Sequence, residues 1–251
     1  MSRIKQSVCR WCYPKMSLEE LARNAVGMGL AGIDLVEPAE FGILKKYNLV
    51  GTMTPSHPIE KGLNCPTNHP MCIEKITAAI EATAEAGFPN VICFSGNEPD
   101  NISREEGINH CAVAIKKIIG LVEKKKLTLC MELLNSRVDH PKYMCDCSDW
   151  GVKLVHRVGS ERFKLLFDIY HMQVDEGDII ATIRREKNAI GHYHTGGVPG
   201  RNEIDETQEL NYPAIMRAIA ETGFTGFVAH EFIPKRDPMT SLRAAVKLCD
   251  M

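Results

Sequence analysis

Four stretches in the second half of the chain set acidic or imidazole side chains inside otherwise apolar runs. TLCMELLNS carries Glu132 between Met131 and Leu133, and KLLFDIYHMQ carries Asp168 after three apolar residues with His171 three further on. GHYHTGG sets His192 and His194 two apart, a spacing that puts both on one face of a strand, and FVAHEFIP holds Glu231. A carboxylate in an apolar strand is costly to bury unless it is paired or metal-bound. One such residue is readily a structural ion pair. Three gathered at one point repel each other, and a divalent cation held with an imidazole removes that conflict. Oxygen-rich ligation with one imidazole suits Mn²⁺ or Mg²⁺ and is compatible with Zn²⁺ or Co²⁺.

Such a site requires elements that make the four runs converge. The chain alternates short β-rich runs, polar or Gly/Pro turns and amphipathic helical stretches, with no linker and no low-complexity tract. Strands are expected at 4–9, 32–37, 49–56, 90–95, 127–134, 163–169, 189–194 and 226–232. Helices are expected from 17 to the glycines at 27 and 29, then at 38–48, 71–86, 103–125, 149–158, 176–187, 212–221 and 239–248. Ser17 with Glu20, and Ser103 with Glu106, match capping boxes. Eight β-then-α units in a chain of this length predict an α/β fold, one (β/α)₈ TIM barrel spanning 1–251 as a single domain. The strand runs are mostly apolar, as parallel strands covered on both faces should be. A doubly wound sheet is the rival, but no GxGxxG or GxxxxGK[ST] glycine loop is present. In a barrel the chemistry lies at the C-terminal ends of the strands, where these polar interruptions fall.

Composition narrows the partners. Of 251 residues, 44% are apolar and 25% charged, with Lys+Arg 30 against Asp+Glu 32, a net charge of −2. This argues against a broad cationic face for nucleic acid. No apolar run approaches the roughly 18 residues of a membrane span, so no membrane partner is expected. The start, MSRIKQSVCRWCYP, has positive charge with no apolar stretch behind it, unlike a secretory signal. Ten cysteines spread through apolar runs read as reduced small hydrophobes of a cytoplasmic protein. Cys9-x-x-Cys12 has no second pair to complete a zinc knuckle.

MELLNS, FDIYHMQ, GHYHTGGVPGRNE, LNYPAI and HEF together resemble the xylose-isomerase-like barrel superfamily, nearest to its hydroxypyruvate isomerase group, with ketose 3-epimerases as cousins. The likeness covers essentially the whole chain, and the combination of motifs is more specific than any one of them. It implies Glu132, Asp168, His194 and Glu231 as ligands of one divalent metal ion, Glu132 and Glu231 as the acid/base pair, and His171 and Arg201 as binders of substrate oxygens. It also implies homo-oligomers, as dimers or tetramers are common in the group. At the position of His194, hydroxypyruvate isomerases typically carry Gln and the epimerases His. CRWCYP, at the end of the first strand, is not shared by the best-known members of the isomerase group.

The implied reaction is proton transfer beside a carbonyl. That C–H is too weakly acidic for a lone carboxylate near neutral pH, and a cation chelating the carbonyl and adjacent hydroxyl stabilises the enediolate. One carboxylate then abstracts and a second returns the proton to the neighbouring carbon, or inverts the same one. The expected partner is a small hydroxy acid or sugar. Arg201, in GGVPGRN, has the fork for a carboxylate. Arg10, Trp11, Glu37 and His57 close strands one to three and are further candidates for substrate contact, with Lys235 outside them; each is equally a salt bridge or packing residue. His192 enters its strand earlier and reads as a packing histidine. An abasic-site endonuclease shares the barrel but needs more metal ligands and a cationic face. A binding protein that keeps the barrel without turnover is disfavoured by the intact ligand set.

Overall fold

The structure, a computed structural model, describes residues 4–250. Eight parallel strands form one sheet: β1 Lys5–Cys9, β2 Gly32–Asp34, β3 Val50–Met53, β4 Asn90–Cys93, β5 Thr128–Glu132, β6 Phe163–Asp168, β7 Ile190–Thr195 and β8 Phe227–His230. Their order is β3-β2-β1-β8-β7-β6-β5-β4. The two outer strands meet through the bridge Thr54↔Val91, with Thr54 N–H donating to Asn90 O at 3.0 Å and Ile92 N–H to Thr54 O at 3.0 Å, so the sheet curls into a barrel. Around it lie α1 Leu18–Gly27, α2 Phe41–Lys46, α3 His69–Ala86, α4 Arg104–Lys116, α5 Ile119–Lys125, α6 Ser148–Val158, α7 Ile169–Asp175, α8 Ile179–Arg185, α9 Tyr212–Glu221 and α10 Pro238–Leu248.

Alternation along the strands separates two chemistries. On β7, the ring of Tyr193 packs against Phe167 and Phe224 beneath the helices, with centroids 6.1 and 4.9 Å away. His192 and His194, on the opposite face, point into the barrel and touch Asp34 across it. The apolar outer layer is the core, and the inner polar layer is buried within it. Both faces of the strands are buried, which explains their nearly continuous apolar character.

Several boundaries differ from the sequence expectation. The second strand stops at Asp34 rather than 37, because the register shifts at Ile33/Asp34 and Leu35 turns to a φ of 57°. The helix expected over 103–125 is two helices broken at Lys117–Ile118. Only Ser103 forms the full reciprocal box with Glu106; at the first helix Ser17 accepts Glu20 N–H alone. His171, expected in a loop, sits in the first turn of α7.

Candidate active site

The strand ends deliver the cluster. Glu132 and Asp168 are the last residues of β5 and β6, His194 lies one residue before the end of β7, and Glu231 follows β8 directly. Asp168 and His194 are register partners on neighbouring strands. All four side chains are buried, and one ligand atom from each lies within 4.8 Å of all the others. His194 Nδ1 is the centre of the group: it stands 2.8 Å from Glu231 Oε2, 3.4 Å from Glu132 Oε1 and 3.9 Å from Asp168 Oδ2.

Arg201 closes the cluster from the loop after β7. Its terminal nitrogen donates to Asp168 Oδ2 at 3.2 Å and to Glu231 Oε2. The guanidinium lies over the rings of Trp11 and Tyr170, 5.2 and 5.4 Å from their centroids. Trp11 Nε1–H donates to Glu231 Oε1 at 2.5 Å. The loop is forced into shape: Arg201 itself holds a φ of 56°, and a side chain on Gly197 would run into the carbonyl oxygens of Glu203 and Asn202. Arg201 O accepts Ile233 N–H at 2.7 Å, tying this loop to the one after β8.

His171 faces the cluster from α7. Asp168 Oδ1 caps that helix by accepting His171 N–H at 3.1 Å. The imidazole Nδ1 accepts the backbone N–H of Asn135 at 3.1 Å, so Nε2 carries the proton. That Nε2 is buried with no hydrogen-bond partner, 3.7 Å from Asp168 Oδ2. Arg201 Nε is a second buried, unpartnered donor.

The charges act strongly on one another. Burial pushes Glu132 up and raises Asp168 to about 7. Burial acts the same way on Glu231, but the charges of Arg201 and His194 prevail and hold it well below the usual carboxylate range. Against burial, the Glu231 charge and the hydrogen bond to Asp34 lift His194 well above the usual imidazole range. Burial, with the Arg201 charge, keeps His171 neutral.

The donor set fits a divalent cation. Arg201 answers one of the three carboxylate charges, and a divalent ion in place of the proton on His194 Nδ1 would answer the other two. Glu132, Asp168, Glu231 and His194 Nδ1 would hold it.

The remaining expectations divide. Trp11 reaches the cluster as described. Arg10 donates to Tyr13 O at 2.8 Å, a local turn contact. His57 is buried, but both ring nitrogens serve the backbone: Nε2 accepts Phe94 N–H at 3.2 Å and Nδ1 faces Pro58 O at 3.0 Å. Glu37 lies on an exposed turn beyond β2, where the early end of that strand leaves it. His192 is outside the quartet and packs edge-on against His194 at 5.2 Å. All ten cysteines are free and eight are buried. Sequence reasoning missed Asp34, Tyr170 and Asn135. For Asp34 the signal was present, a carboxylate inside the apolar run GIDLVE.

Among the described residues no helix is long and apolar enough to cross a membrane. Residues 43–250 match the family described as xylose isomerase-like TIM barrel. The hydroxypyruvate isomerase of Escherichia coli K12 is 24% identical, aligned over 88% of this chain and 89% of its own. The 2-oxo-tetronate isomerase of Cupriavidus necator is 36% identical over 43% of this chain and 41% of its own. A solved AP endonuclease family 2 protein from Brucella melitensis superposes with a TM-score of 0.82 at 20% identity, covering 96% of this chain and 97% of its own, and so shares the fold.

Proposed function

The chain belongs to the xylose isomerase-like TIM barrel family, and from that premise we propose that it is a divalent-metal-dependent aldose–ketose isomerase of small hydroxycarbonyl acids, with hydroxypyruvate to tartronate semialdehyde as the leading reaction. The observation that carries this reading is the convergence of Glu132, Asp168, His194 and Glu231 ligand atoms within 4.8 Å.

A divalent ion, Mn²⁺ or Mg²⁺ by the donor chemistry, supplies when bound the positive charge that acidifies a C–H beside a carbonyl. Glu132 and Glu231 then do the proton work. They arrive from β5 and β8, so one removes a proton from the hydroxymethyl carbon and the other returns one to the neighbouring carbon, while the hydroxyl proton passes to the former carbonyl oxygen. Asp168 completes the carboxylate set and caps the helix that presents His171. The two unpartnered donors, His171 Nε2 and Arg201 Nε, suit the oxygens of a substrate. The charged fork of Arg201 favours a carboxylate among them. Trp11 and Tyr170 flank that fork and shield it from water, which strengthens its pull on an anion.

His194 in place of the Gln typical of hydroxypyruvate isomerases favours a second reading, a ketose 3-epimerase or polyol dehydratase using the same residues. Purified protein with Mn²⁺ or Mg²⁺, assayed on hydroxypyruvate and on a ketose panel with product analysis, separates the two. Turnover of hydroxypyruvate that disappears on chelation and in Glu132→Gln supports the proposal. Wild-type rates in that variant would refute it.

A further inference from the structure

Behind the cluster, Asp34 makes four side-chain hydrogen bonds at the centre of the barrel and is fully buried. Its Oδ1 accepts the hydroxyls of Ser7, at 2.6 Å, and Thr52. Its Oδ2 faces His192 Nε2 at 2.7 Å and His194 Nε2 at 3.2 Å. Ionised Asp34 is acceptor-only, so both imidazoles must present Nε2–H to it. For His194 the consequence reaches the cluster, because a neutral ring protonated at Nε2 leaves the Nδ1 lone pair free. That atom is the one 2.8–3.9 Å from the three carboxylates.

We propose that Asp34 is the positioning residue of the metal site: by binding Nε2–H it fixes the tautomer and ring orientation of His194, so that Nδ1 is the ligand atom. This rests on the metal-dependent reading above. The geometry allots distinct tasks to the two carboxylate oxygens. The hydroxyls of β1 and β3 occupy one and thereby aim the other at β7. The result is a brace across the barrel from β2 to β7, and an anionic partner also makes the ligating imidazole more basic. Cys9 Sγ, Asp34 and His194 Nε2 form a second group of potential ligand atoms, with Sγ 3.8 Å from Nε2. Asp34 Oδ2 already faces two imidazoles there. A second ion at that point would have to displace this whole network.

Two measurements test the brace. In Mg²⁺-saturated wild-type protein, long-range ¹H–¹⁵N correlation should place the His194 proton on Nε2 and leave Nδ1 bare. A proton on Nδ1 overturns the proposal whether or not any variant folds. Calorimetric Mn²⁺ titration should give one ion per chain, with affinity falling about 10–100-fold in Asp34→Asn, and falling at least as far in Asp168→Asn. Wild-type affinity in Asp34→Asn alongside loss in Asp168→Asn overturns the brace and leaves the metal site standing. Two ions per chain overturns the brace in favour of a second site. No uptake of either ion by the wild type sinks the metal reading itself.

Discussion

His57 and His171 are both buried imidazoles that accept a backbone N–H, the first from Phe94 and the second from Asn135. They differ in the other nitrogen. That of His57 meets Pro58 O at 3.0 Å, whereas that of His171 has no partner. The same contrast runs through the barrel. Several polar groups of the first half are likewise spent on the fold: Asn64 donates to Asn97 O at 2.8 Å and Asn90 to Thr52 O at 2.8 Å. The ends of β5 to β8 instead gather carboxylates against one another and leave donors unused. Buried polar groups are normally satisfied, so two unpartnered donors beside a carboxylate cluster, His171 Nε2 and Arg201 Nε, fit a place where a ligand completes the bonding.

Replacements at the two ends of this contrast should behave oppositely. Glu132→Gln or Glu231→Gln should cost about 10³-fold or more in kcat, within the range of lost acid–base catalysis, while thermal unfolding shows the barrel intact. Activity near wild type in both would erase the distinction. His171→Asn keeps an acceptor for Asn135 and removes the free donor. It should lower kcat/KM about 10–100-fold, on the order of 1.4–3 kcal/mol, with Mn²⁺ affinity unchanged. His57→Ala should do the reverse, losing about 3 kcal/mol of stability through an orphaned Phe94 amide and a small cavity, with kcat/KM retained. If chemical denaturation and kinetics gave the same pattern for both histidines, the contrast would fail.

A pH series sharpens it further. Burial lowers His57 and His230 to about 4 each, so both bind a proton more readily when unfolded. Their contribution is therefore complete above the ordinary imidazole range near 6.5 and lost as pH falls toward 4, on the order of 3 kcal/mol each. Urea midpoints should drop over that window and drop less in His230→Asn. A flat profile would contradict their neutral burial. The smallest effect belongs to Glu37→Gln, which should change kcat/KM less than about twofold, as expected of an exposed residue away from the chemistry.

The barrel was legible because eight apolar runs separated by amphipathic helices leave few other folds. The quartet was legible because a carboxylate inside an apolar strand is conspicuous. The same test applied to GIDLVE would have found Asp34, but the run was read for its end, Glu37, and a left-handed turn at Leu35 moved that end off the strand. His57 misled for a related reason. Composition places a histidine at a strand end, but whether its second nitrogen is free depends on a carbonyl one residue away. Tyr170 and Asn135 had no signal of their own, since stacking on Arg201 and a backbone amide given to His171 exist only once the loops are folded.

Anomalous scattering from Mn²⁺-soaked crystals bears most directly on the cluster. A single peak should lie within about 2.0–2.6 Å of Glu132, Asp168, Glu231 and His194 Nδ1, with Arg201 drawn off Glu231. A peak on the Nε2 side of His194, between Cys9 and Asp34, or no peak inside the barrel at all, would contradict it.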